Sequence, residues 1–261
     1  MSNPLIEIMY SHQVARVVLN RLEVHNAFND ELIAAIAEAF KNLKKDPEVR
    51  VVILESRGKS FCSGGDLNWM KKMADYTREE NLEDAKKLAE MFQAVRDFPT
   101  PVIARVHGPA YAGGVGLIAA CDFAVSLRSA TFAITEVKVG LAAASIAVYL
   151  LDKMKFGDLL RYILTAEIFT AEKGKEIGLI QEVVEKEEEM DKWIEKICDS
   201  IRKNSPQAVA KSKELFRYLK QKDLEETQKL TIEAIADIRV SPEGQEGLKA
   251  FLEKRKPGWQ I

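Results

Sequence analysis

The stretch Arg105-Val-His-Gly-Pro-Ala-Tyr-Ala-Gly-Gly-Val-Gly-Leu-Ile-Ala-Ala-Cys-Asp122 constrains the fold more than any other part of the chain. An apolar, strand-like run stops at a glycine cluster and reopens as a helix of small residues. Gly113, Gly114 and Gly116 remove side chains from the start of that helix. A ligand can therefore approach unpaired backbone N–H groups and the positive end of the helix dipole, a combination that stabilises an oxyanion or a phosphate. Taken alone, the same glycines serve equally well for close helix–strand packing. A second strand-then-glycine turn breaks the tie. Val51-Val-Ile-Leu54 is continuously apolar, as expected of a strand covered on both faces, and it leads into Arg57-Gly-Lys-Ser-Phe-Cys-Ser-Gly-Gly-Asp66.

The remaining periodicities alternate around these two turns. Strands are expected near Leu5–Met9, at Val14–Leu19 and at Val102–Val106. A helix capped by Asn29 carries Leu32, Ile33, Ile36, Phe40 and Leu43 on one face before Asp46-Pro47, and a second runs from Glu80 to Val95. Segment 67–80 is weakly periodic and reads as a flap. Short strands at Asp122–Leu127 and Ala130–Thr135 flank an Arg128-Ser129 turn and deliver Glu136 just beyond the second. Helices follow over 159–164 and 171–177, then a last strand over 179–184. Beyond it only helical periods occur, over 188–203, 206–220, 224–239 and 242–254. This order is that of a mixed α/β fold with parallel crossovers, comprising a core of residues 1–185 and a helical region of residues 186–261 in one structural domain.

Charge and cysteine usage narrow the function classes. The 38 Lys and Arg residues nearly balance 40 Asp and Glu, so no global field favours nucleic acid or a membrane surface. No apolar run is long enough to span a bilayer, and the first residues lack a signal-peptide pattern, so a cytoplasmic protein is expected. Cys62, Cys121 and Cys198 are far apart, which argues for small core fillers, and His12, His25 and His107 form no metal-binding spacing. No metal is expected.

Two glycine turns can aim two N–H groups at one point, with the Glu136 carboxylate nearby. That set suits enolate chemistry: two donors stabilise the charge that develops on a carbonyl when a proton leaves. A carboxylate in a dry pocket has its pKa raised toward the working pH, as proton shuttling requires.

On these residues the chain resembles the crotonase (enoyl-CoA hydratase/isomerase) superfamily over nearly its whole length. Phe61-Cys-Ser-Gly-Gly-Asp-Leu67 resembles the first oxyanion turn of that family, implying the Gly65 N–H as one donor, with Ser63, Gly64 and Asp66 lining the acyl-CoA site; by residue type alone, Asp66 and Asp122 read as turn or cap residues whose side chains bond local backbone. The Val106–Leu117 segment resembles the second, implying the Gly113 N–H, with Gly116 also at the substrate. Thr135-Glu-Val-Lys-Val-Gly-Leu141 resembles the segment that carries a catalytic glutamate, which falls on Glu136. Phe251-Leu-Glu-Lys-Arg-Lys256 resembles a late signature, implying Phe251 and Lys254 near the coenzyme A nucleotide, often of a neighbouring subunit. The resemblance implies a spiral of repeated ββα units with a C-terminal helical region, a homotrimer or homohexamer, and a coenzyme A thioester substrate with no further cofactor.

Two positions depart from the family pattern. Hydratases of this family carry a second catalytic glutamate where this chain has Gly116, and Ala143 stands where a proline is common. Overall resemblance favours hydration of an enoyl-CoA, including branched or carboxylated ones such as 3-methylglutaconyl-CoA, and hydration is the expected reaction, a second acid or the substrate itself positioning the water; two alternatives stand beside it. A single glutamate favours double-bond isomerisation, and the missing one leaves room for a non-catalytic acyl-CoA-binding protein. Gly114-x-Gly116-x-x-Ala119 also fits a dinucleotide fingerprint with Glu136 as the ribose contact.

Overall fold

The computed structural model describes residues 4–219 and 223–260. Strand β1 (Ile6–Ser11) turns through His12 and Gln13, both at positive φ, into the antiparallel β2 (Val14–Leu19). Helix α1 (Asp30–Leu43) follows, with Asn29 accepting the Leu32 N–H at 2.9 Å and two acidic residues in its first turn. Next come β3 (Val51–Ser56), α2 (Leu67–Ala74), α3 (Arg78–Arg96), β4 (Val102–Val106), β5 (Ala110–Tyr111) and α4 (Gly113–Ala120). The chain continues through β6 (Phe123–Leu127), β7 (Thr131–Ala133), α5 (Ala147–Lys153), α6 (Phe156–Thr165), β8 (Phe169–Thr170), α7 (Ala171–Glu176) and β9 (Glu182–Val184). Four helices close it: α8 (Glu187–Arg202), α9 (Pro206–Leu219), α10 (Leu224–Val240) and α11 (Pro242–Leu252).

Two sheets organise these elements. The larger has the order β1-β2-β3-β4-β6-β9 and is parallel from β2 onward; the smaller is β5-β7-β8. Each turn of the spiral repeats one pattern: a strand in the large sheet, a short extended piece in the inner layer, then a helix. In the first two turns the inner piece is a single bridge, Phe28 to Gly65 and Cys62 to Ala110. In the third and fourth it is β5 and β7, paired at Ala110–Phe132 and Tyr111–Ala133. Successive turns thus deliver their helix starts to one side of the inner layer.

The apolar run of β3 is explained by cover on both faces. Val52 and Leu54 join the main core with Phe40, Phe92 and Leu117, while Val51 and Ile53 meet Met190, Ile194 and Cys198 of α8. Helix α8 is therefore part of the packed core although it lies beyond residue 185. Helices α9 and α10 bury no residue among those described. Helix α9 is held to the core by Asp122, whose carboxylate accepts the Val102 N–H at 2.8 Å, Lys213 Nζ at 2.6 Å and Arg217 Nη2 at 2.7 Å.

Several sequence expectations shift. Segment 67–80 is no flap but two helices: Asp66 caps α2, and a Thr77–Glu80 capping box opens α3 two residues before the expected start. The strands flanking Arg128-Ser129 do not pair with each other, because β6 lies in the large sheet and β7 in the small one. The last strand is confined to Glu182–Val184, with Leu179 and Ile180 buried as irregular chain. A 3-10 turn, Ala144–Ile146, leads into α5. The α9 period extends in the sequence reading to residue 220, which lies outside the described residues.

Candidate active site

The two glycine turns meet back to back. Phe28 N–H donates to Gly64 O at 2.7 Å and Asp66 N–H donates to Phe28 O at 2.8 Å, a parallel bridge that leaves Gly65 facing away from Phe28. Gly64, at φ +95°, lies so close to the second turn that a Cβ on it would stand 3.1 Å from Ala112 Cβ. Gly65 and Gly113 each adjoin this contact. Gly113 opens α4, and the first N–H groups of a helix have no partner within it. Among the described residues neither the Gly65 nor the Gly113 N–H has an acceptor. Ala112, just before the helix, takes φ 47° and ψ −120°, a conformation non-glycine residues rarely adopt and one that clusters at functional sites. Its N–H donates to Ala133 O at 2.8 Å, which ties the helix start to the end of β7.

Three residues past that anchor, Glu136 begins a 3-10 turn over Glu136–Val139 that ends at Gly140 in the left-handed region. Burial pushes the Glu136 carboxyl above the usual glutamate range, while the N–H groups of Glu136 and Thr135 pull it back. Its Oε2 is buried and has no hydrogen-bond partner among the described residues. A buried acceptor left unpaired carries a desolvation penalty of about 1–3 kcal/mol. Such a cost is borne where a ligand supplies the partner. A raised-pKa carboxylate with one unpartnered oxygen, on the chain that follows the Ala112–Ala133 tie to the second glycine turn, suits taking a proton from a carbon whose carbonyl the two N–H groups polarise.

The wall opposite is apolar. A Cβ on Gly113 would lie 2.8 Å from the Phe28 ring, and one on Gly116 would lie 2.1 Å from Ile146 Cγ2 and 3.4 Å from Phe92 Cε1. Phe28 and Phe92 pack edge to face at 6.1 Å, and Phe92 continues onto Tyr149 at 5.4 Å. The volume a side chain at position 116 would need is filled by Ile146, itself 2 % exposed. Sequence reading did not single out Ile146 or Ala112: neither residue type signals a site, and both roles exist only through contacts between turns of the spiral.

The other site expectations divide. Gly64 lies in the first turn, and Ser63 beside it donates from Oγ to Val24 O at 3.2 Å. Asp66 caps α2, as its residue type suggests: it is buried, Oδ1 accepts from the Asn68 and Trp69 N–H groups, and Oδ2 pairs with Arg21 at 2.8 Å, so its carboxylate is taken up within the protein. Gly116 is buried, and the side on which a Cβ would stand is filled by Ile146. Phe251 and Lys254 are exposed at the end of α11, and among the described residues nothing joins them to Gly65, Gly113 or Glu136. The dinucleotide reading fails on topology, since β6 and β7 intervene before Glu136, which follows a strand of the other sheet. The three cysteines are buried, and burial pushes Cys62 and Cys121 up to about 12 and Cys198 up to about 11, as suits core fillers. Among the described residues no three His, Cys, Asp or Glu side chains are placed to hold a metal ion, and no helix is long and apolar enough to cross a membrane.

Comparison with known proteins shows the family of the chain. A family profile described as enoyl-CoA hydratase/isomerase matches residues 10–261. The crystal structure of an enoyl-CoA hydratase from Shewanella pealeana superposes with a TM-score of 0.94 at 38% identity, covering 98% of this chain and 96% of that one. The mitochondrial enoyl-CoA hydratase domain-containing protein 3 of Xenopus laevis is 32% identical over 256 residues, covering 98% of this chain and 86% of its own. The peroxisomal Delta(3,5)-Delta(2,4)-dienoyl-CoA isomerase of Arabidopsis thaliana is 28% identical over 254 residues, covering 94% and 91%.

Proposed function

Because the chain belongs to the enoyl-CoA hydratase/isomerase family, we propose that it moves the double bond of a 3-enoyl-CoA into conjugation, with Glu136 as its one proton carrier. Glu136 takes a proton from Cα; that C–H bond breaks and its electron pair delocalises into the thioester and the 3,4 double bond. The resulting dienolate carries its negative charge on the thioester oxygen, where the Gly65 and Gly113 N–H groups receive it. The same carboxyl group returns the proton at Cγ, leaving a 2,3 double bond. Protein groups supply both donors and the proton carrier, so the thioester is the whole chemical input.

The observation that carries this reading is the filled space at Gly116. Hydration is served by a second polar group that orients water across the double bond, and here that position has no side chain and is walled by Ile146 and Phe92. A 1,3-proton transfer needs one carboxylate and no ordered water. Hydration of a 2,3-enoyl-CoA is the second reading, favoured by the names of the Shewanella and Xenopus relatives. A binding protein without turnover is the third. Turnover of a 3-enoyl-CoA and of a 2,3-enoyl-CoA by the parent separates the three, and Glu136→Gln tests the carrier: the variant is expected to bind acyl-CoA like the parent and to lose 3-enoyl-CoA conversion by at least about 100-fold, the usual size of a general acid–base contribution. Conversion at the parent rate by Glu136→Gln overturns the assignment.

The proposal includes assembly. Helices α10 and α11 expose Ile232, Val240, Leu248, Phe251 and Leu252, the last two more than three-quarters exposed, and α9 and α10 bury nothing of their own. Exposed apolar faces of this extent support contact with further copies of the chain, as a trimer or a hexamer. In that assembly Phe251 and Lys254 would reach the coenzyme A of a neighbour, where the Lys254 ammonium suits a phosphate.

A further inference from the structure

Helix α2 directly follows the first oxyanion turn, yet the residue it buries among those described is a single one, Trp69, at 7 % exposure. A Cβ on Gly65 would meet Trp69 Cζ3 at 3.6 Å, Met70 Cγ at 3.5 Å and Met70 Sδ at 3.6 Å. These two side chains therefore roof the Gly65 backbone. A short helix anchored by one side chain belongs to the low-stability end of a structure, so whatever fixes that side chain fixes the roof. Asp66 holds the first turn through the Asn68 and Trp69 N–H groups. The far side of the indole is held from another helix: Trp69 Nε1 donates to Asp84 Oδ1 of α3 at 3.3 Å.

We infer that Asp84 is a positioning residue which, through the Trp69 indole, sets the acyl side of the substrate site, and that the group accepted there is an uncharged hydrocarbon chain. The inference rests on the enoyl-CoA reading of the site. The side chains nearest a Cβ on either oxyanion glycine are Trp69 and Met70 at Gly65 and Phe28 and Phe92 at Gly113, all uncharged and so unable to pair a carboxylated acyl group. Thioether and aromatic walls adapt to apolar chains, whereas a carboxylate moved into such surroundings stays unpaired and costly. Burial pushes the Asp84 carboxyl upward, the Trp69 N–H pulls it down, and Asp30 of α1 pushes it up again. The contact needs only an acceptor oxygen, so an amide at position 84 can replace the acid.

The test is calorimetric binding by the intact protein of free coenzyme A, hexanoyl-CoA and glutaryl-CoA. These saturated thioesters have no double bond to move, so the result is independent of which reaction the enzyme runs. Failure of the isomerase reading would appear in turnover and leave these affinities unmoved. Asp84→Ala and Trp69→Phe are each expected to weaken hexanoyl-CoA about three- to tenfold, the size of one lost hydrogen bond, and to leave free coenzyme A unchanged. Asp84→Asn should bind like the parent, and the double variant Trp69→Phe with Asp84→Ala no more weakly than either single one, since both remove the same contact. The parent should bind hexanoyl-CoA more tightly than glutaryl-CoA. Unchanged hexanoyl-CoA binding in both single variants, or equal weakening of free coenzyme A, overturns the positioning role. Glutaryl-CoA binding as tight as hexanoyl-CoA overturns the hydrocarbon assignment.

Discussion

A methyl group at position 116 tests the wall of the site most sharply. In Gly116→Ala the new Cβ would lie 2.1 Å from Ile146 Cγ2 and 2.7 Å from Ile146 Cβ. Rotating the isoleucine can move Cγ2 but leaves its Cβ in place, so the 3-10 turn Ala144–Ile146 itself must shift. Overpacking of this kind costs about 1–3 kcal/mol, and a contact that rotamer change cannot relieve belongs at the upper end. At about 2–4 °C per kcal/mol for a chain near this size, a cost of about 3 kcal/mol should lower the melting temperature by about 6–12 °C. Ile146→Ala alone leaves a cavity and costs about 2–5 kcal/mol. The two changes together should be more stable than their sum by about 2 kcal/mol, because each relieves the other. Urea unfolding of the four proteins measures this cycle directly. With the wall opened, Gly116→Glu combined with Ile146→Ala should gain hydration of a 2,3-enoyl-CoA, read as 3-hydroxyacyl-CoA formed. A Gly116→Ala protein as stable as the parent, with additive energies in the cycle, would refute the filled-wall reasoning.

Further consequences follow from the same contacts. Glu136 must be ionised to accept a proton, so kcat/KM should fall as pH drops through a value above the usual glutamate range, burial being the cause of the rise. A folded-state carboxyl raised above its unfolded value disfavours folding at pH above both, so Glu136→Gln should melt higher than the parent at neutral pH while losing turnover. Asp122→Ala strips the carboxylate partner from Lys213 and Arg217, both half-buried, and should destabilise by about 1–3 kcal/mol, measured by denaturant unfolding. Light scattering should give a mass of several chains for the parent, and Ile232→Glu with Ile235→Glu on the exposed face of α10 should reduce it to one.

Much of this was legible in the residue order because the determinants are local. The Asn29 cap, the apolar face of α1, the two strand-then-glycine turns and the approach of Glu136 after a strand each depend on a few neighbouring residues, and all stand where the sequence places them. Thr77-x-x-Glu80 was equally local and its capping box was readable, but the charged, weakly periodic surroundings masked it. What was not legible depends on contacts between turns of the spiral. Nothing near Ile146 in sequence says that it faces Gly116, thirty positions earlier. Asp66 is readable as a local cap, and two backbone donors of α2 do bond it, but nothing near it in sequence announces the ion pair with Arg21. The change of composition near residue 185 marks the last strand, but α8 completes the second face of the large sheet, which only the packing of Met190 and Ile194 reveals.

The central claim is that one carboxylate, working without an ordered water, carries the reaction. Incubating the enzyme with a 3-enoyl-CoA in oxygen-18 water and resolving the thioesters by mass spectrometry tests it most directly. The account predicts 2-enoyl-CoA as the first product, unlabelled by oxygen-18 and formed at a rate that collapses in Glu136→Gln. Labelled 3-hydroxyacyl-CoA formed from 2-enoyl-CoA faster than the double bond moves, or no isomerisation at all, would contradict it.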